Sequence, residues 1–411
     1  LGIVSPVGVG QEAFWNSLVE RRSGVAPIAS FDARDMPVGF GAELKDFDGK
    51  LYIKPRKALK VMCRELQTGV AAANLAVEHA DLAAGQIDPA RFGTVYGSQM
   101  LYGGVDEVTE LFHASNDGGE FSFRKYAHSF SNILNPLWML RNLPNMAACH
   151  VGIIHDARGP NNTIHQSELS SLLAIVEAAR VIRRGVADVM IAGGASSQMD
   201  PFDWVQHCVR GVLSTSRGDP TRVLRPFDAY RDGQVWGEGA AAFILESRRH
   251  AEARGATILA RVLGWASTCE PQNGGGPKGT GLRRAMSLAV EEAGLGPDQL
   301  GHVNAHGVSG VVDDQIEARA IHASFPDVPV TAPKSYFGNL GAAGGAMEMA
   351  ASVLSFAEGL VPPTLNYRHP DPRCPIQVAH DRPFESSIPT VLAINWSWIG
   401  QAVAVVVGGP D

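Results

Sequence analysis

The sequence predicts a layered α/β fold, and three observations carry that prediction. Stretches of helical period alternate with short β-branched runs along the chain. Glycine and proline stand at the joints between them. The 411 residues are 45% hydrophobic and 19% charged, which suits a large core in one big unit or two domains.

The elements follow in order. The chain opens on LGIVSPVGVG, which reads as the exit from a first strand lying upstream rather than as a signal peptide. Helices are expected over residues 11–22 and 58–80, and strands over 93–96 and 150–154. The stretch NNTIHQSELSSLLAIVEAARVIRRGVADVMIAGGAS, 161–196, reads as a strand, a sharp polar turn, a helix and a buried strand. Leu169, Leu172, Leu173, Val176 and Ala179 keep helical spacing there, so the 169–184 helix is buried and its N-terminus points inward. Strands follow over 189–192 and 241–246. The charged segment 246–254 is the best boundary, dividing the chain into halves 1–247 and 248–411. The second half carries strands over 256–266, 303–305, 391–396 and 402–407, with helices over 281–293, 314–323 and 343–357. No short-period repeat is visible, although both halves end in an apolar strand pair.

Composition excludes several classes of function. Apolar stretches such as 186–195 and 402–407 stop short of the roughly 18 to 20 residues that a membrane span needs. Five cysteines, Cys63, Cys149, Cys208, Cys269 and Cys374, form no CxxC pair, which predicts reduced thiols in a cytoplasmic protein without a zinc site. No cofactor is expected. A net charge of −7 offers nothing to a nucleic-acid backbone. One basic run, KPRKALKVMCR, gathers Lys54, Arg56, Lys57, Lys60 and Arg64. It reads either as a solvated helix face or as a docking patch for an acidic partner.

Four polar turns interrupt apolar runs and hold the candidate chemistry. At the first, Ser167 and Glu168 enter the buried helix, whose end carries free N–H groups and about half a positive charge. Glu168 is open to two readings, a first-turn acid complementing the dipole or a working carboxylate. At the second, His306 follows a short buried strand, where open α/β sheets place ligands; a satisfied core histidine is the alternative. The third holds Lys334 and Asn339 before a helix rich in glycine and alanine, and the fourth is NWSWIGQAVAVVVGG, a strand, a bulky turn and a strand.

Together with their flanks, these turns resemble the β-ketoacyl synthases of fatty-acid and polyketide synthesis. The matching segments run from end to end: LGIVSPVGVG, LPNMAA, GPNN, RRGVADVMIAGGAS, RPFDAYRDGQVWGEGAAAFILES, NAHG and PKSYFGNLGAAGGAMEMAASVL. The resemblance implies the thiolase-like fold, two similar βαβ-type halves in an αβαβα arrangement. It also implies site residues. The family's nucleophilic cysteine falls on the tenth residue counting from Gly159, which here is Glu168. His306 matches the first of two active-site histidines, Asn339 stands at the second, and Lys334, Asp314 and Glu317 are retained. Val308 and Gly310 replace two threonines that hold the pantetheine arm. The glycine-rich gating loop is replaced by Asn395, Trp396, Ser397, Trp398, Ile399, Gly400 and Gln401, and Gln234 replaces a phenylalanine after RDG.

These departures point away from condensation. A carboxylate attacking a thioester gives only a labile mixed anhydride. The pattern is nearest to a chain-length factor, a non-condensing subunit that pairs with an active ketosynthase, although glutamine is frequent at position 168 in such relatives. The stretch before Gly159 and the loop with His128, Phe130, Asn135 and Trp138 would face that partner, and the basic run would face an acyl carrier protein; pairing with itself stays open. Two alternatives remain. Glu168 and His306 could act together in thioester hydrolysis or decarboxylation, the latter disfavoured because Glu168 would repel a malonyl carboxylate. An ordinary synthase would need another thiol, for which Cys149 is nearest in sequence but reads as a core residue.

Overall fold

A computed structural model describes residues 1–82, 85–99, 105–271 and 275–410. The first sheet comprises β1 (Gly2–Ser5), β2 (Gly8–Val9), β3 (Phe92–Gly97), β4 (Asn161–Ile164), β5 (Val189–Ser197) and β6 (Glu238–Glu246), in spatial order β2-β1-β6-β5-β3-β4. The second comprises β7 (Arg261–Cys269), β8 (His302–Asn304), β9 (Val330–Thr331), β10 (Thr390–Trp396) and β11 (Gln401–Gly408), in order β7-β11-β10-β8-β9. With the short β2 set aside, both sheets place their strands first, fifth, fourth, second, third. In both, two antiparallel pairings are followed by two parallel ones. The chain is thus a duplication at the scale of its halves, invisible as a short repeat because the helices and loops between the strands differ.

Five layers result. The helices Ser170–Arg183 and Gly344–Glu358 lie between the sheets and touch both. Arg64–His79 and Met146–Ile154 cover the outer face of the first sheet, and Thr280–Glu292 and Asp313–Ser324 that of the second. The strands between two layers are apolar on both sides, as buried strands must be. Along β11, Val403, Val405 and Val407 face the central helices, while Ala402, Ala404 and Val406 face the outer ones. Alternation of period two does this.

Several expectations are corrected. Residues 150–154 are not a strand but the end of the Met146–Ile154 helix; a short apolar run does not reveal its period. Ala147, Ala148 and Val151 are buried against the first sheet's outer helix layer, while Ile153 turns to solvent. Cys149 is therefore a half-buried helix residue, and the segment 150–154 before Gly159, expected to be a strand, is helical. Gly2–Ser5 is itself a strand, paired with β6, rather than the exit from one. The expected 58–80 helix is two pieces, a 3-10 turn Arg56–Val61 and the helix from Arg64. All five cysteines are free. Among the described residues no helix is long and apolar enough to cross a membrane.

Candidate functional site

The site begins with the two central helices. Each follows the third strand of its half, and each starts with a single 3-10 turn, Ser167–Leu169 in one and Gly341–Ala343 in the other. The two turns pack against each other, so two helix N-termini with their unpaired N–H groups converge. Small residues permit the approach. A Cβ on Gly345 would lie 2.3 Å from Asn395 Oδ1 and 2.5 Å from Leu172 Cγ.

Glu168 sits in this convergence, half-buried, behind Ser167 in the left-handed region at φ 52°. Among the described residues nothing hydrogen-bonds or ion-pairs with its carboxylate. The Glu168–His306 pair considered from the sequence is not formed. Instead His306, only 4% exposed, is held through Nδ1. Asn395 Nδ2 lies 3.0 Å and Lys334 Nζ 3.3 Å from His306 Nδ1. Asn395 Nδ2 and the Lys334 ammonium can only donate, so Nδ1 is the bare, accepting nitrogen and the proton sits on Nε2. Burial, with Lys334 beside it, pushes the imidazole well below its usual range, so the ring is neutral.

Behind the imidazole is a closed polar network. Lys334 ion-pairs with Glu348 in full burial, and Glu348 Oε2 accepts from Asn395 Nδ2 at 2.8 Å. Burial raises Glu348, against the pull of Lys334. Glu317 accepts the backbone N–H of His306 at 2.6 Å and of Gly307 at 2.8 Å; burial pushes its carboxyl up to about 8. Asp314 accepts from Phe227 N at 2.7 Å. The RPFDAYRDG segment is a brace: Asp228 takes the N–H groups of Arg368 and His369 at 2.7 Å each, and Arg231 reaches Gly310 O at 3.1 Å and Asp371 at 2.8 Å.

Two of the departures noted in the sequence touch each other. Asn339 Nδ2 donates to Gln234 Oε1 at 3.0 Å, while Asn339 Oδ1 accepts from Gly341 N at 3.1 Å. The amide at 339 is thereby committed on both ends. Val308 is buried, and a Cβ on Gly310 would lie 2.2 Å from Asp313 Oδ2. Asp313, which sequence reasoning missed, occupies the space a larger residue at 310 would need. At the tip of the β10–β11 hairpin, Trp398 and Ile399 are exposed, and Gly400 takes φ 83°.

The basic run divides. Lys54, Arg56, Lys57 and Lys60 are exposed. Arg64 is not free to join them: its guanidinium grips the buried Glu238 at 3.0 and 3.1 Å. Within the run, Arg64 alone is committed to an ion pair with a buried acid. A separate excursion, with helices Val105–Ala114, Phe123–Ile133 and Trp138–Asn142, carries His128, Phe130 and Asn135 exposed and Trp138 half-buried. Phe112, Phe121, Phe123, Leu137 and Met139 are also exposed on it.

Five layers with two duplicated halves, and a histidine–lysine–glutamate network at converging helix N-termini, define a ketosynthase-type member of the thiolase-like fold. Comparison with known proteins agrees. The N-terminal domain model of β-ketoacyl synthases matches residues 1–251 and the C-terminal domain model residues 259–368. A 3-oxoacyl-[acyl-carrier-protein] synthase 2 of Synechocystis sp. is 33% identical over 91% of this chain and 88% of its own length. The ishigamide ketosynthase/chain length factor superposes with TM-score 0.87 at 26% identity, over 100% of this chain and 98% of that one. A type II PKS ketosynthase in complex with its acyl-carrier protein superposes at 0.84 and 26% identity, over the same shares. The chain belongs to the β-ketoacyl synthase family, which serves fatty-acid and polyketide biosynthesis.

Proposed function

We propose that this chain is a non-condensing partner of an active ketosynthase, of the chain-length-factor type. Glu168 at the meeting of two helix N-termini carries the reading. By the resemblance, the family's nucleophilic cysteine stands there; an oxygen anion forms no lasting acyl bond in its place. The committed amide of Asn339 adds support, since it cannot carry the charge of a second histidine. Hydrolysis or decarboxylation through Glu168 and His306 finds no support: the two are not bonded, and the bare nitrogen of His306 is already occupied by Asn395 and Lys334.

Such a protein contributes shape and surface rather than bond making. The exposed Phe121, Phe123, Phe130 and Met139 offer an apolar face to a ketosynthase subunit. Lys54, Arg56, Lys57 and Lys60 offer a positive one to an acidic acyl carrier protein. Five free thiols suit a reducing cytoplasm.

The test is co-expression with ketosynthase subunits that keep cysteine and both histidines. A stable heterodimer is expected, lost on Phe123→Asp. Homodimers in every pairing would overturn the reading. Incubation with acyl and malonyl carrier protein should add no mass to the chain and release no free acid, whereas turnover abolished by Glu168→Ala would identify an enzyme of altered chemistry.

A further inference from the structure

Trp398 Nε1 donates to Asp313 Oδ1 at 2.5 Å, tying the exposed hairpin tip to the first residue of the Asp313–Ser324 helix, which follows the loop after His306. From that bond inward the rings form a column. Trp398 lies 6.4 Å from Trp396, and Trp396 lies 6.4 Å from the His306 imidazole, centroid to centroid. The column runs from a residue 45% exposed to one 4% exposed. The tip is also held from behind. Gly400 O accepts from Glu270 N at 2.9 Å, and the Glu270 carboxylate is itself fastened to the start of the Thr280–Glu292 helix through Thr280 Oγ1 at 2.8 Å and Gly281 N at 2.6 Å. Asp313 has room to reach Trp398 only because residue 310 is glycine.

We infer that Asp313 and Trp398 decide what reaches His306: their bond pins the hairpin tip, and the two indoles stopper the route from the surface, excluding an elongated thioester-bearing arm. This rests on the non-condensing reading above and gives it a physical cause independent of Glu168.

Two variants remove the bond differently. Asp313→Ala deletes the acceptor, and Trp398→Phe keeps the ring while losing its N–H. Wild type and variants are compared by hydrogen–deuterium exchange and by saturation-transfer NMR with pantetheine. Exchange over residues 396–401 should rise about tenfold in both variants, the scale of losing one hydrogen bond to a charged group. The Ser170–Arg183 helix should be unchanged, and pantetheine should bind the variants but not the wild type. Unchanged exchange overturns the inference and leaves the non-condensing reading standing. So does faster exchange without pantetheine binding, or pantetheine binding to the wild type. Acyl mass appearing on the wild-type chain would instead sink the non-condensing reading, and the exclusion with it.

Discussion

At position 339 one amide is satisfied by another, a pairing with no local signal because Gln234 lies 105 residues away. The sequence marked each residue as a departure but not that they compensate each other. Asn339→Ala should cost about 1–3 kcal/mol by leaving Gln234 Oε1 and Gly341 N without a partner. In urea unfolding, the cost should fall when Gln234 is already alanine, and strict additivity would contradict the pairing. Glu65 is the second residue with a readable consequence. Ser98 Oγ at 2.6 Å and Gln99 N at 3.2 Å bond its Oε1, and burial pushes the carboxyl from 4.5 up to about 7 against these hydrogen bonds. A folded-state value raised above the unfolded one means the native state holds its proton longer. Stability from this group is then full below 4.5 and is lost as pH rises toward 7, with a slope of up to about 1.4 kcal/mol per pH unit. Glu65→Gln, which mimics the protonated acid, should flatten thermal stability across that window; an unchanged profile would show that Glu65 is ionised throughout.

Among elements, those covered on both sides were the most legible. In β5, Met190 and Ala192 pack toward the central helices while Val189 and Ile191 pack outward, and that continuous apolar run sits between turns as a buried strand does. The five-residue run 150–154, with Val151, Ile153 and Ile154 as its aliphatic residues, is too short to tell a strand from the end of a helix. The excursion over 105–142 is legible as a helical or loop insertion in the first half but not as three helices: Phe121, Phe123, Leu137 and Met139 are exposed, and only a few residues such as Leu111 and Leu134 are buried, so its apolar spacing is weak. The central helix pair makes a sharper statement. Gly345→Ala adds one methyl where Asn395 Oδ1 and Leu172 Cγ already stand, an overpacking cost of about 1–3 kcal/mol. A lowered melting temperature is expected, together with weakened packing around His306 visible in its NMR ring signals. A neutral outcome would mean that the two helix N-termini can separate freely.

Over the whole molecule, motif spacing identified the family and with it the layers, because RPFD, RDG and GEGA each perform bracing that tolerates few alternatives. The basic run was only partly legible, since its linear sequence does not say that Arg64 is already engaged with Glu238. Lys57→Glu with Lys60→Glu should weaken acyl carrier protein binding by about tenfold at low ionic strength and less in high salt. Arg64→Glu should instead lower the melting temperature, because Glu238 loses its partner. Equal effects of the two changes on affinity would refute this division. The doubled strand order has one more consequence. Cut between the Arg248–Ala253 helix and β7, each fragment would keep a complete sheet but leave a flank of its central helix bare. Fragments 1–254 and 255–411 are expected to be insoluble when made singly and to copurify when made together, each half being the medium in which the other folds.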